Sequence, residues 1–180
     1  VLGFYLQPAV GGRVLRYEFW RGLAELPELI AIKIAPFNRY HTLDVVKGVV
    51  AAGAEQRVAL YTGNDDNIVF DLITPFRLRR GDAEVPVRIK GGLLGHWSVG
   101  TRAAVELFTR IRRAVEAGDI DETLLSVAAK VTDCNAGIFD VDNGFRGCIA
   151  GCHEVLRRQG LFAGTWCLDP TEGLSPGQSH

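Results

Sequence analysis

Residues 29–36 read LIAIKIAP, an apolar, β-branched run that a single lysine, Lys33, interrupts. An apolar run of this length is typical of a strand in a parallel sheet that is covered on both faces. A charged ammonium in such a strand is unfavourable unless it is paired, loses its proton or points into a polar pocket. The run therefore predicts a parallel sheet and raises the question of what Lys33 does within it.

Three further strand-like segments flank this run, at residues 2–7, 57–63 and 87–95, and a helical segment follows each of them. The segments start about 30 residues apart, which is the length of a βα unit. This alternation predicts a parallel α/β sheet, closed either as a (βα)8 TIM barrel or as an open, doubly wound sheet. No GxGxxG follows the first strand, which argues against a dinucleotide-binding fold.

The domain organisation follows from the same pattern. Polar residues gather where each strand ends, as they do at the active-site face of a barrel. We therefore predict that residues 1–100 are the second half of a TIM barrel, strands five to eight. Residues 101–180 are helical and are predicted to form the last barrel helix and a C-terminal helical extension with a loosely held, loop-like tail. Half a barrel leaves open sheet edges, so we expect the N-terminal half upstream in a longer chain.

Composition and charge narrow the classes of partner. The formal net charge is −1 and the basic residues are scattered, so the sequence shows no electrostatic footprint for nucleic acid or an anionic membrane. No apolar stretch approaches the roughly 20 residues of a membrane helix, and the start carries no signal-peptide pattern. We expect a cytoplasmic protein whose partner is a small molecule.

The cysteines and the acidic turn are the candidate metal ligands, and neither group has a metal-site pattern. The four cysteines contain no CxxC pair, which predicts reduced, mostly buried thiols rather than a zinc site. The turn at residues 64–67, NDDN, lacks the ligand spacing of an EF-hand, and a carboxylate there is expected to cap the next helix. We expect no metal.

Lys33 has a possible partner on the first strand. Tyr5 stands three residues before Pro8, and Lys33 stands three residues before Pro36. If each proline marks a strand end, the two side chains lie at similar depth on adjacent strands. A lysine walled by apolar groups has a lowered pKa and a nucleophilic amine, which attacks a ketone to form an imine. A tyrosine hydroxyl nearby can move protons. The alternatives are a snorkelling or salt-bridged lysine and an ordinary half-buried tyrosine.

Four segments carry a resemblance to a known family. FYLQP, AIKIAP, YTGNDD and GGLLGHWSV resemble, in order and spacing, the second half of the dihydrodipicolinate synthase / N-acetylneuraminate lyase family. In that family a YxxP strand carries a proton-shuttling tyrosine, and a strand ending in lysine forms the Schiff base. An (S/T)-G-(D/N)-D turn follows the seventh strand, and a G-x-x-S-V segment forms the eighth.

The resemblance implies a role for each matching residue. Lys33 would form an imine with pyruvate or another 2-keto acid, and Tyr5 would be the general acid/base. Trp97 would occupy the eighth strand facing the imine, and His96 would add a polar contact. Gly63 and Asn64 would complete the substrate-binding set. No cofactor is implied, because the lysine imine is itself the electron sink, and the family's usual assembly implies a homotetramer.

Two departures from the family leave the substrate open. Ala9 and Val10 stand where the dihydrodipicolinate synthases place an arginine, and the apolar residues 34–36 follow the lysine where an acidic residue is common. The expected function is a class I lyase that performs aldol cleavage or condensation, or dehydration of a keto-deoxy sugar acid. The alternatives are a hydratase-aldolase on a bulky pyruvate adduct, a non-catalytic barrel that binds a keto or sugar acid, and a barrel that binds phosphate near the glycines Gly91, Gly92 and Gly95.

Overall fold

The computed structural model describes residues 1–180, which divide into two compact units, Val1–Leu94 and Gly95–His180. The first unit is α/β and holds a parallel sheet, and the second is helical. The predicted α/β class is therefore confirmed. The sheet has four strands and does not close into a barrel.

The first unit alternates strands and helices along the chain. Its elements are β1 (Leu2–Leu6), α1 (Tyr17–Glu25), β2 (Ala31–Ala35), α2 (Arg39–Ala51), β3 (Ala59–Thr62), α3 (Ile68–Ile73), β4 (Phe76–Arg80), β5 (Ala83–Val87) and β6 (Gly91–Gly92). The parallel sheet has the order β1-β2-β3-β6, so each strand lies beside the one before it in the sheet. Strands β4 and β5 form a separate antiparallel hairpin.

The three helices of this unit cover the same face of the sheet. The Tyr5 ring on β1 contacts both Trp20 of α1 and His41 of α2, with ring centroids 4.8 and 5.9 Å apart. Thr62 on the same face of β3 donates a hydrogen bond to Asp71 of α3. Lys33 lies on the opposite face and is half-exposed. On that face Ala31 and Ala35 are buried, so the expectation that both faces of β2 are covered is wrong only at the lysine.

The stretch predicted as the fourth strand of the sheet, residues 87–95, pairs with β3 over a shorter range. Gly91 and Gly92 form β6, and the amides of Lys90 and Leu93 donate to the Leu60 and Thr62 carbonyls of β3. Val87 instead ends the second arm of the hairpin. The two-residue turn Gly81–Asp82, with Gly81 at φ +61°, connects the arms. A Gly at a positive φ in a two-residue loop is typical of a hairpin. The alternating residues of β4 and β5 are the signal that the sequence analysis missed.

Helices α1 and α2 approach each other closely at Gly48. A Cβ atom built on Gly48 would lie 2.7 Å from the backbone nitrogen of Arg21 and 2.9 Å from the Trp20 Cβ. Helix α2 begins after Asn38, whose Oδ1 accepts hydrogen bonds from the amides of Tyr40 and His41.

The second unit consists of four helices and an irregular tail. The helices are α4 (Gly95–Val99), α5 (Thr101–Ala117), α6 (Glu122–Ile138) and α7 (Cys148–Arg158). Helix α5 ends at Gly118, at φ +69°, as its glycine predicts. Helix α4 holds His96 and Trp97, so the predicted eighth strand through these residues is wrong. The Gly100 amide donates to the His96 carbonyl, which closes a helical turn where a strand was expected.

The tail after α7 is loop-like, as predicted, but it is anchored to the helices of its unit. The Ser175 hydroxyl donates to Asp140 Oδ2 at 2.6 Å, and Gln178 Nε2 donates to the Gly147 carbonyl at 3.0 Å. The expectation of a loosely held tail is therefore wrong, because its polar side chains reach backbone and carboxylate acceptors.

All four cysteines are free thiols. The prediction of mostly buried thiols is wrong for Cys134, which is exposed, whereas Cys148, Cys152 and Cys167 are partly buried. No helix of the structure has both the length and the apolar character needed to cross a membrane.

Substituting Gly48 tests the close approach of α1 and α2. Gly48→Ala should lower the free energy of unfolding by about 1–3 kcal/mol, because the added methyl group meets backbone that cannot move aside easily. Gly22→Ala is the control, since Gly22 is exposed on α1 and a Cβ there meets nothing within 4 Å. That control should gain about 0.5–1 kcal/mol from helix propensity. Urea unfolding measures both; an unchanged midpoint for Gly48→Ala would contradict the packing.

Acid should weaken the second unit through Glu154. Hydrogen bonds from Arg157 and then Arg158 lower the pKa of the Glu154 carboxyl to about 2. The stabilisation is therefore fully present above the unfolded pKa, near 4.5, and is lost as the pH falls towards 2. Glu154→Gln should lower the urea midpoint at pH 7, and the difference from wild type should shrink at pH 3. Glu116→Gln, from the exposed Arg112–Glu116 pair, should change little at either pH.

Candidate functional site

Lys33 is the central side chain of the half-exposed face. Its Nζ lies 4.5 Å from the centroid of the Phe4 ring, on the neighbouring strand β1. The face of an aromatic ring attracts a cation through its quadrupole. The lysine is tolerated within an apolar strand because its side chain leaves the helix-covered face and rests on this ring.

Gly63 makes room for the lysine side chain. A Cβ atom at Gly63 would lie 2.8 Å from Lys33 Cε and 2.8 Å from Ala35 Cβ, closer than van der Waals contact allows. Gly63 follows β3 directly, and its amide donates to the Ile34 carbonyl at 2.6 Å. The lysine stem therefore runs over Gly63 towards the carboxyl ends of the strands, where parallel α/β folds place their ligands. Gly63, predicted to bind substrate, lies beside the Lys33 side chain.

Tyr61 is a neighbour of Lys33 to which the sequence analysis assigned no role. The register of β2 and β3 pairs Lys33 with Tyr61, and both residues are half-exposed. Paired residues of a parallel sheet point to the same face, because side chains alternate along every strand. On the other side, Tyr61 pairs with Gly91 of β6, which has no side chain. Phe4, Lys33, Tyr61 and Gly91 therefore form one row across the sheet.

The structure does not bring Tyr5 and Lys33 together. The register pairs Tyr5 with Ile34 and sets Phe4 beside the lysine, so the predicted common depth is wrong by one residue. One residue is enough to place two side chains on opposite faces of a sheet. The Tyr5 hydroxyl accepts a hydrogen bond from the Leu15 amide at 3.1 Å, and burial raises the pKa of the phenol. Tyr5 is a buried packing residue that fixes the loop after β1.

Asn64 belongs to a buried hydrogen-bond network on the helix-covered side. Its Oδ1 accepts from the Phe37 amide at 3.0 Å, and its Nδ2 donates to Thr42 Oγ1 at 3.2 Å and Asp71 Oδ2 at 3.0 Å. Its side chain is fully buried. The predicted contact between Asn64 and a substrate therefore has no support in this arrangement. The amide instead ties the turn after β3 to the loop after β2, where Phe37 has a positive φ of 51°.

Asp71 is the centre of this network. Its carboxylate is 1% exposed and accepts hydrogen bonds from Thr62, Asn64 and Asn67. Arg39 of α2 forms an ion pair with it. A buried carboxylate is tolerated only when charge and hydrogen bonds replace its water. The network therefore joins β3, α2 and α3 behind the turn that carries Gly63.

The turn itself contributes a second acid, Asp66, which is partly buried. Desolvation raises the pKa of the Asp66 carboxyl, and the charge of Arg39 opposes that shift. Helix α3 begins after Asn67, whose side chain makes no capping hydrogen bond to the helix backbone.

His96 and Trp97 have partners within the second unit. His96 Nδ1 lies 2.5 Å from Asn135 Oδ1 of α6, and the Trp97 ring centroid lies 5.5 Å from that of Phe108 on α5. These contacts pack α4 against α6 and α5. A role for either residue in substrate binding stays a prediction.

Neither a scan against protein-family models nor a search of curated proteins finds a match to this chain. In the structure, no group of three or more His, Cys, Asp or Glu side chains is arranged to hold a metal ion.

Substituting Asn64 distinguishes a network residue from a substrate contact. Asn64→Ala leaves Asp71 and the Phe37 amide each short of a partner, so it should lower the free energy of unfolding by about 2–4 kcal/mol. Asn64→Asp keeps the shape but sets a second carboxylate against Asp71, and it should destabilise the protein more at pH 7 than at pH 5. Urea unfolding followed by tryptophan fluorescence measures both. Full stability in both variants would contradict the structural role.

Proposed function

We propose that this chain carries the imine-forming lysine of a class I lyase that acts on pyruvate or another 2-keto acid. The observation that supports this most directly is the placement of Lys33. Its amine lies on the half-exposed face of the central strand pair, over an aromatic ring, and its stem crosses a glycine where any other residue would collide with it. A structural surface lysine needs no such clearance.

The chemistry needs the amine in its neutral form. The lone pair of Lys33 Nζ attacks the C2 carbonyl carbon of the keto acid, and the carbinolamine that forms loses water to give the imine. The positive imine nitrogen then accepts the electron pair released when a C3–H or C3–C4 bond breaks, which gives an enamine.

The wider fold supports a barrel enzyme over a doubly wound one. Parallel strands in sequential order, with three helices all on one face, are the arrangement of a singly wound sheet, whereas a doubly wound sheet has helices on both faces. We propose that the first unit is half of a (βα)8 barrel whose half-exposed face lines the interior. The homotetramer and the cytoplasmic location implied earlier stay predictions.

A second candidate function is a non-catalytic barrel that binds a keto acid. The contact between Lys33 and the Phe4 ring favours it, because a permanently charged ammonium pairs with a carboxylate but does not attack a carbonyl. In that case Lys33 would hold the acid group of the ligand without forming a covalent bond.

Borohydride trapping decides between the two. The full chain incubated with pyruvate and sodium borohydride should acquire an N-(1-carboxyethyl) group on Lys33, which peptide mass spectrometry locates. Lys33→Ala should remove the adduct and leave the urea midpoint close to that of wild type. Lys47→Ala, at an exposed lysine of α2, is the matched control and should keep the adduct. Saturable binding of pyruvate with no adduct would instead support the non-catalytic candidate.

A further inference from the structure

We infer that Tyr61 is the general acid/base that serves the Lys33 imine. This inference rests on the proposed function and adds the residue that moves the protons. Imine formation and enamine formation both need such a group, because water must leave with a proton and a C3 proton must be removed. The residue that the sequence offered for this task, Tyr5, points to the other face.

The register between β2 and β3 supports this role for Tyr61. Lys33 and Tyr61 are direct partners on β2 and β3, two parallel strands whose axes lie about 4.8 Å apart. Their side chains leave the same face at the same level, and both are half-exposed. A phenol and an extended lysine are of similar length, so the hydroxyl and the amine can work on one small substrate.

The other members of the row lack a proton-transfer group. On the far side of Lys33 stands Phe4, whose ring carries no hydroxyl, and on the far side of Tyr61 stands Gly91, which has no side chain at all. Tyr61 is therefore the acid/base group in this row.

A single tyrosine can perform both proton transfers of the reaction. The Tyr61 phenol gives its proton to the carbinolamine hydroxyl while the nitrogen lone pair forms the C=N bond, and water leaves. The resulting phenolate then takes a proton from C3 of the iminium. The C3–H electron pair becomes the C2=C3 bond of the enamine, the C=N π pair returns to nitrogen, and the phenol is restored.

Deuterium uptake into pyruvate tests the assignment apart from imine formation. In D2O, proton NMR follows the loss of the methyl signal of pyruvate as the enamine exchanges its C3 protons. Tyr61→Phe should slow this exchange by roughly 100-fold or more, and prolonged borohydride trapping should still find the adduct on Lys33. Tyr5→Phe, which alters a packing residue, and Tyr40→Phe, at a tyrosine 80% exposed on α2, should exchange at close to the wild-type rate.

Each outcome is decisive. Exchange in Tyr61→Phe at the wild-type rate, with the Lys33 adduct present, overturns the inference and leaves the proposed function intact. Slow exchange in Tyr5→Phe but not in Tyr61→Phe also overturns it. A wild-type protein that forms no adduct and does not exchange overturns the proposed function and this inference together. A urea midpoint for Tyr61→Phe near that of wild type shows that slow exchange does not come from unfolding.

Discussion

The parallel register between β1, β2 and β3 is the constraint on which the rest of the first unit depends. Side chains alternate along a strand, so the pairing of Lys33 with Phe4 and Tyr61 also pairs Ile34 with Tyr5. A shift of one residue would turn the lysine into the helix layer and expose the core. The burial of Ile34 and Tyr5 beneath the helices therefore holds Lys33 on the opposite face.

The buried network around Asp71 fixes the position of the turn at the end of β3. Thr62 and Asn64, on either side of Gly63, both hydrogen bond to the Asp71 carboxylate. Their side chains are fully buried, and the glycine between them faces the Lys33 stem. Thr62 and Asn64 therefore anchor the turn to α3, and Gly63 leaves space for the lysine. The two polar side chains of the turn hold it to the rest of the fold and do not face a ligand.

The strand register changes the interpretation of the equal spacing from Tyr5 to Pro8 and from Lys33 to Pro36. A tyrosine and a lysine at equal distance from their prolines suggested a pair, but the distance to a proline does not define a level in a sheet. Hydrogen bonding between strands does, and it selects Phe4 as the neighbour on one side and Tyr61 on the other. The same face of the sheet still carries an amine and a phenol, although the phenol comes from a different strand.

The sequence by itself determined the α/β class and the positions of the three sheet strands that begin at residues 2, 31 and 59, because apolar periodicity is a local signal. It also identified Lys33 as the unusual residue. Only the tertiary structure decided which face Lys33 occupies, that Asn64 is buried, and that residues 95–99 form a helix. The helix over residues 95–99 replaces a strand that the resemblance implied. The face that Lys33 occupies and the burial of Asn64 depend on hydrogen bonds between segments far apart in the chain, which no local pattern specifies.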